Sequence, residues 1–341
     1  MRTAELSDRE EKVLRLLIES HVRSARPVSS SAIAAARSVA LSSATVRNVL
    51  RSLAEKELIL QPHTSAGRVP TDRGYRYYVD FLMRPTKPSD RVRGLIEERI
   101  SGLMKTDEDT IATELSRMVS RLTKELAVSV TPAAGGVLKR LDLVPFGDGR
   151  AIAVVTLRSG AERSVSLSVS DVEDADLEEA ARLLNRWLGG ARVAEAEKLL
   201  RGGMRRARPP VRRVMDALLD VRSGLLSPQH ARSVHYEGAR YMFRHPEFEG
   251  EAACLGEILD SEEMLADALG AHSAGPVAVC IGEENRLKEM RRMSLVAGSY
   301  RIGGGMGRMA VIGPTRMKYP KFVGLVRFLS DRLENVFTAA P

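Results

Sequence analysis

Four aromatic side chains, Tyr75, Tyr77, Tyr78 and Phe81, fall within seven residues of a chain that is only 4% aromatic overall. They follow directly on a polar segment, QPHTSAGRVPT, that has neither helical nor strand periodicity. A loop rich in hydroxyls, Gly and Pro gains no fixed shape from its own apolar contacts, so it has to be held by what flanks it. The aromatic run is the candidate anchor, and the flanks decide what kind of loop this is.

Upstream, LSDREEKVLRLLIESHV opens with Ser7 and carries Glu10 three residues on, the spacing of a capping box. Val13, Leu14, Leu17 and Ile18 then recur at helical spacing. VSSSAIAAARSVA predicts a short second helix starting at one of Ser29 to Ser31. A third helix starts at Ser42 or Ser43 and meets no Gly or Pro before Pro62. Val46, Val49, Leu50 and Leu53 form its buried stripe, leaving Ser43, Ala44, Thr45, Arg47, Asn48 and Arg51 on the other side. Such a face suits a major groove, because Arg bonds guanine and Asn bonds adenine in bidentate fashion and small residues let the helix sit deep. ELIL and RVPT read as the two strands of a hairpin whose loop carries His63, Thr64, Ser65 and Arg68. Helix, turn, longer helix and hairpin is a winged helix-turn-helix, with the wing suited to phosphate and sugar contact. Gly67 is expected at a positive φ, and Thr71 is expected to cap a closing helix whose aromatics pin the wing.

Charge agrees with this reading. Residues 1–93 hold 17 Lys and Arg against 10 Asp and Glu, whereas the remainder holds 35 against 34. A basic N-terminal quarter on a balanced body is the footprint of nucleic-acid binding at one end. The charged start argues against a secretory signal, and no apolar run is long enough to span a membrane. Cys254 and Cys280 stand far apart with no CxxC, so a reducing, cytoplasmic (nucleoid-associated) setting without structural metal is expected.

RPTKPSD (residues 84–90) predicts a linker. Beyond it RVRGLIEERISGLM and TIATELSRMVSRLTKELAVSV read as helices, and LKRLDLVPFGDGRAIAVVTLRSGAERSVSLSV as strands. Helices return through VRRVMDALLDVRS, and strands at PVAVCIG, SLVAGSYRIGG and GRMAVIGP precede a closing amphipathic helix. Strands, a helical interruption and strands again predict an α+β class with an insertion. GGGMG (303–307) lacks the last glycine of a dinucleotide loop and joins two strands, so a hairpin turn is expected. The arginines of RGGMRRARPPVRR read as a solvated connector in preference to a second nucleic-acid patch, GEEN (282–285) as a turn or a helix start, and no nucleophile–base or metal-ligand set assembles. No catalytic residue and no cofactor is therefore expected.

The segment LSSATVRNVLRSLAEKELILQPHTSAGRVPTDRGYRYYVD closely resembles the N-terminal domain of the HrcA family of bacterial heat-inducible transcription repressors. YEGARYMFRHPEFEG, IGEENRLKEMRRMSLVAGSYRIGG and MAVIGPTRMKYPKFVGLVRFLSDRLENVF extend the resemblance over nearly the whole chain. One departure is Ser29, where the family pattern usually carries Gly. The resemblance implies a winged-helix domain (1–86), a GAF-like domain (87–149 and 241–341) and an inserted dimerisation segment (150–240). It also implies a homodimer binding double-stranded DNA at an inverted-repeat operator of the CIRCE type, and dependence on the chaperonin GroEL. Three other readings stay open at this stage: a ligand-sensing regulator using the GAF-like domain, an enzyme with a DNA-binding appendage, and RNA binding through the wing.

Overall fold

The computed structural model of the chain describes residues 5–36, 41–63, 66–103, 106, 108–131, 137–158, 162–220, 233–270, 276–302 and 305–338. It begins with α1 (Asp8–Ser24), α2 (Ser30–Ala34) and α3 (Ser43–Glu55), followed by a short hairpin of β1 (Ile59–Leu60) and β2 (Val69–Pro70). The capping box at α1 forms: the Ser7 amide donates to Glu10 Oε2 at 2.8 Å. Glu10 does more than cap, because its other oxygen accepts from Ser52 and from Lys56, both at 2.7 Å. One buried carboxylate thus ties the start of α1 to the end of α3. The α2 helix begins at the Ser29 cap, whose hydroxyl accepts from the Ala32 amide, a bond that a glycine here could not make. The expected extension of this helix to Ala40 falls partly outside the described residues.

The closing helix α4 (Asp72–Tyr77) starts at Thr71, which accepts from the Gly74 amide, and continues into a π-turn over Tyr78–Leu82. Tyr75, Tyr77 and Tyr78 are buried, but Phe81 is 56% exposed, with its ring tilted against that of Tyr77 at 4.9 Å. The anchor therefore consists of three tyrosines, and Phe81 departs from the expectation because the π-turn rotates it off the packed side. Residues 84–89 form no regular element, yet they do not hang free. The Thr86 amide donates to the Pro320 carbonyl at 2.8 Å, and a Cβ on Gly324 would lie 1.9 Å from the Thr86 oxygen. The linker is strapped onto the last helix.

Next come α5 (Asp90–Leu103), α6 (Glu108–Thr123) and β3 (Leu126–Thr131). The expected helix through residue 130 is broken at Lys124, which takes a left-handed φ of 63°, and the rest is strand. β3 is buried along its full length, and a strand covered on both faces has no alternation that would distinguish it from a buried helix. β4 (Leu138–Gly147), β5 (Arg150–Leu157) and β6 (Glu162–Ser168) make a three-stranded sheet covered by α7 (Asp174–Leu188), α8 (Val193–Met204) and α9 (Pro209–Leu219). Asn185 on α7 clasps Leu141 of β4 through both its amide and its carbonyl, at 2.9 and 2.6 Å. This unit has its own apolar core, and residues 149 and 150 lie at the β4–β5 turn inside it.

The chain then returns through β7 (Ser233–Glu237), α10 (Ala239–Met242), α11 (Ala252–Asp260), α12 (Glu262–Gly270), β8 (Val277–Ile281), β9 (Met293–Ile302), β10 (Gly305–Pro314) and α13 (Tyr319–Thr338). The main sheet runs β7-β3-β10-β9-β8, antiparallel throughout. Val296, Tyr300, Met309 and Val311 face α6 and α13, while Leu126, Val128, Leu295, Ala310 and Ile312 face α10 to α12. Helices and antiparallel sheets segregated in this way make the class α+β, as expected. Gly305 pairs with Ile302 across adjacent antiparallel strands, so the GGGMG segment joins strand to strand and not strand to helix.

The Glu10 contacts give a pH dependence with a definite sign. Burial alone would raise its pKa, but Lys56, the Ser7 amide, Ser52 and the Ser7 hydroxyl together hold it at about 2, below the ordinary 4.5. A depressed folded-state pKa contributes stability fully present above the ordinary value and lost as pH falls toward the folded one. In thermal melts, Glu10→Gln is expected to lie below wild type near neutrality, with the gap shrinking as pH falls from about 6 to about 3. A gap that stays constant over that range would show that the charge on Glu10 is not the source.

Candidate nucleic-acid interface

The third helix is positioned by its N-cap and its buried stripe. Ser42, and not Ser43, is the cap: its hydroxyl accepts from the Thr45 amide at 3.2 Å and meets the Thr45 hydroxyl at 2.9 Å. Val46, Leu50 and Leu53 are buried against α1 and α2, and Val49 is half-buried. With those positions inward, Ser43, Ala44, Arg47, Asn48 and Arg51 stand exposed on the opposite side. Thr45 is intermediate, its hydroxyl turned to the cap. Neither Arg47 nor Arg51 has an ion-pair or hydrogen-bond partner among the described residues. Two cations and an amide one turn apart thus point outward with their donors unspent.

The hairpin is held from the other side. Val28, directly before the α2 cap, exchanges backbone hydrogen bonds with Arg68 at 2.9 and 2.8 Å. That exchange explains Gly67, where a Cβ would sit 2.4 Å from the Val28 carbonyl oxygen. The expected positive φ is not found there, and close backbone approach is the reason for the glycine. Gly74 has a similar cause, since a Cβ would lie 2.0 Å from the Leu58 carbonyl oxygen. Across the loop, Gln61 donates to the Ala66 carbonyl and the Ala66 amide to the His63 carbonyl, which draws the stalks together. His63 is exposed and Arg68 half-exposed, with no ion pair on the Arg68 guanidinium among the described residues. Thr64 and Ser65 lie outside the described residues.

Sequence reasoning missed how the N-terminal elements are seated on the main sheet. Arg76 of α4 reaches Glu284 through Nε at 2.8 Å and the Val279 carbonyl at 2.7 Å, and it also pairs with Asp80. Asp72 accepts from the Glu283 amide at 3.0 Å. The GEEN segment, expected only as a turn or a helix start, forms a short 3-10 turn and is the socket for α4. Partners more than 200 residues apart leave no local signal that a single sequence reveals. The arginines of the 201–213 connector are partly structural, with Arg208 spanning Asp176 and Glu179. His245 pairs with Glu125 at 2.7 Å, and His235 bonds Thr113. Among the described residues no group of His, Cys, Asp and Glu is arranged to hold a metal, and no helix is long and apolar enough to cross a membrane.

Comparison with known proteins places the chain. Residues 109–323 match the family model described as the HrcA protein C-terminal domain. The heat-inducible transcription repressor HrcA of Symbiobacterium thermophilum is 34% identical over 341 residues, covering 97% of this chain and 98% of that protein. Its counterpart in Thermobifida fusca is 34% identical with 94% of each chain covered, and that of Prosthecochloris aestuarii 32% identical with 99% covered. A crystal structure described only as that of a hypothetical protein shares the fold, with a TM-score of 0.59, 22% identity and coverage of 99% of this chain and 100% of that one. With a family model matching well over half of its length and full-length relatives above 30% identity, this chain belongs to the HrcA family of heat-inducible transcription repressors.

Proposed function

We propose that the chain is a cytoplasmic, DNA-binding repressor that acts as a homodimer. Residues 1–86 form a winged helix-turn-helix in which α3 enters the major groove and the β1–β2 hairpin lies along the backbone. The observation that carries this reading is the exposed, unpartnered face of Arg47, Asn48 and Arg51 on a capped helix with small Ala44 at its start. Ser43 and Thr45 lie at the end of that helix nearest its cap, and His63, Thr64, Ser65 and Arg68 belong to the wing. The five-stranded sheet with α5, α6 and α10–α13 is the GAF-like domain, and 137–219 is the inserted dimerisation unit. That division keeps the β4–β5 hairpin whole. β4 is an edge strand whose far end exposes Val144 and Phe146, at 48 and 58%, which suits contact with a second copy.

Two such heads read an inverted repeat of the CIRCE type, because protein two-fold symmetry calls for operator symmetry. The chaperonin GroEL is proposed as the partner that keeps the repressor folded. Linkage supplies the logic: whatever binds or refolds the chain sets its active population, so a chaperonin occupied by unfolded protein leaves less repressor on DNA.

The reading is tested by titrating the full chain against a CIRCE-type duplex and a scrambled duplex over a range of salt, with and without chaperonin. Repeat-dependent binding strengthened by chaperonin is the expected result, and equal weak binding to both duplexes would overturn it. Within that assay, Arg47→Ala and Asn48→Ala should each cost about 1–3 kcal/mol on the repeat and narrow its margin over the scrambled duplex. Arg68→Ala should instead weaken both duplexes alike and lower the slope of log affinity against log salt by about one unit. If Arg68→Ala discriminated between the duplexes, the hairpin would be reading bases.

A further inference from the structure

A cavity of about 640 Å³ lies where α1 meets the main sheet. Val22 and Arg23 close it from α1, residues 122–125 from the turn into β3, and Pro314, Arg316, Lys318, Lys321 and Phe322 from the end of β10 into the start of α13. Its size falls within the range of small-molecule sites, roughly 300–1,000 Å³. The charge around it is lopsided. Arg23, Lys124, Lys318 and Lys321 have no ion pair among the described residues. The acids nearby are largely taken: Glu125 by His245, and Glu247, just outside, by the two-pronged grip of Arg316. On the wall only Glu19 and the His245-bonded Glu125 oppose these four unpaired cations.

Two of those cations are held in place without a counter-charge. Lys321 donates to the Leu122 carbonyl at 3.1 Å, and its pKa is pushed down by burial and by neighbouring Lys318. Lys124 is fixed by its left-handed backbone, with its ammonium 5.6 Å from the centre of the Tyr241 ring. The four side chains are exposed, but like charges gathered around one cavity repel one another, and an anion placed among them relieves the repulsion. Val22, Leu122 and Phe322 give the same cavity an apolar side.

We infer that this cavity binds a small phosphate-bearing metabolite, with Arg23, Lys124, Lys318 and Lys321 on its anionic groups and Val22, Leu122 and Phe322 against its body. A single carboxylate would leave most of the cations unanswered, whereas a phosphate carries up to two charges and several acceptor oxygens. The walls come from several segments and enclose a volume far smaller than a duplex, which favours a small ligand over the DNA backbone. Arg23 belongs to the N-terminal head and the lysines to the sheet body, so an occupant bridges the two. Occupancy then shifts operator affinity by linkage, a consequence that rests on the operator reading, as binding itself does not.

Inorganic pyrophosphate is the probe, titrated calorimetrically into the full chain without DNA, with sodium chloride at equal ionic strength as reference. One saturable site per chain is expected, together with a rise in melting temperature. Exposed Lys318→Gln alone should weaken binding, and Lys318→Gln with Lys321→Gln should weaken it about tenfold or more. Arg213→Gln, on the inserted unit, should leave it unchanged. No saturable heat, undiminished binding in the double variant, or an equal loss in Arg213→Gln would overturn the inference. Displacement of pyrophosphate by a scrambled duplex would assign the cations to the DNA backbone and overturn it as well. Because the cell contains no DNA in the first experiment, failure of the operator reading does not register there, and failure of pyrophosphate leaves operator binding intact.

Discussion

The packing of Tyr75 on Tyr319 is the contact on which the arrangement of the whole chain depends. The rings lie 5.9 Å apart and tilted by 52°, Tyr75 is 2% exposed and Tyr319 fully buried. Through this pair the apolar core of the first three helices runs without a break into α5, α6 and α13. Burying an aromatic side chain contributes about 1.5–3 kcal/mol, and a tilted ring pair about 0.5–1.5 more. The polar contacts around it weigh less. Arg76 and Glu284 are each about a third exposed, so their pair is worth no more than about 1 kcal/mol. Asp72 is costly in itself, since burial pushes its carboxyl up, and the Glu283 amide offsets that only in part. Apolar burial therefore holds the seat, and the polar contacts fix its angle. Gly282 belongs to the second group: it sits at φ +54°, and a Cβ there would meet Asp72 Oδ2 at 1.8 Å.

This division of labour explains which parts of the chain were legible beforehand. Features written within one turn of helix were read correctly, among them the Ser7–Glu10 box, the Thr71 cap and the α3 stripe, because their partners are three or four residues away. Features decided by distant packing were not. In sequence β3 is indistinguishable from the tail of α6, because a strand covered on both faces is as uniformly apolar as a buried helix, and its break depends on the backbone of one lysine. The need for Gly67 in the hairpin comes from the Val28 carbonyl, 39 residues upstream, which no local pattern encodes. Phe81 looked like its tyrosine neighbours and was separated from them only by a π-turn. The exposed residues of α3 were legible because the buried stripe determines what is left over. The cavity residues were not, because Arg23, Lys124 and Lys318 come together only after three remote segments have packed.

The basic excess of the first 93 residues takes on a different meaning once partners are assigned. Arg73 is bound to Glu57, Arg76 to Glu284 and Asp80, and Arg93 to Asp90. Lys56 is tied to Glu10. These cations are spoken for by a neighbouring carboxylate, so their fields are largely neutralised at short range. Arg47, Arg51 and Arg68, by contrast, have no ion pair among the described residues, and Arg23 is unpaired at the cavity. Net charge alone would have treated all of them alike. Free guanidinium groups are the ones that can exchange counterions for phosphates, and so the ones that set a salt slope. On this head Arg47 and Arg51 on α3, Arg68 on the hairpin and Arg23 at the cavity share that state with Arg9, Arg15 and Arg26 on and just after α1, so position as well as pairing decides which of them can meet a phosphate.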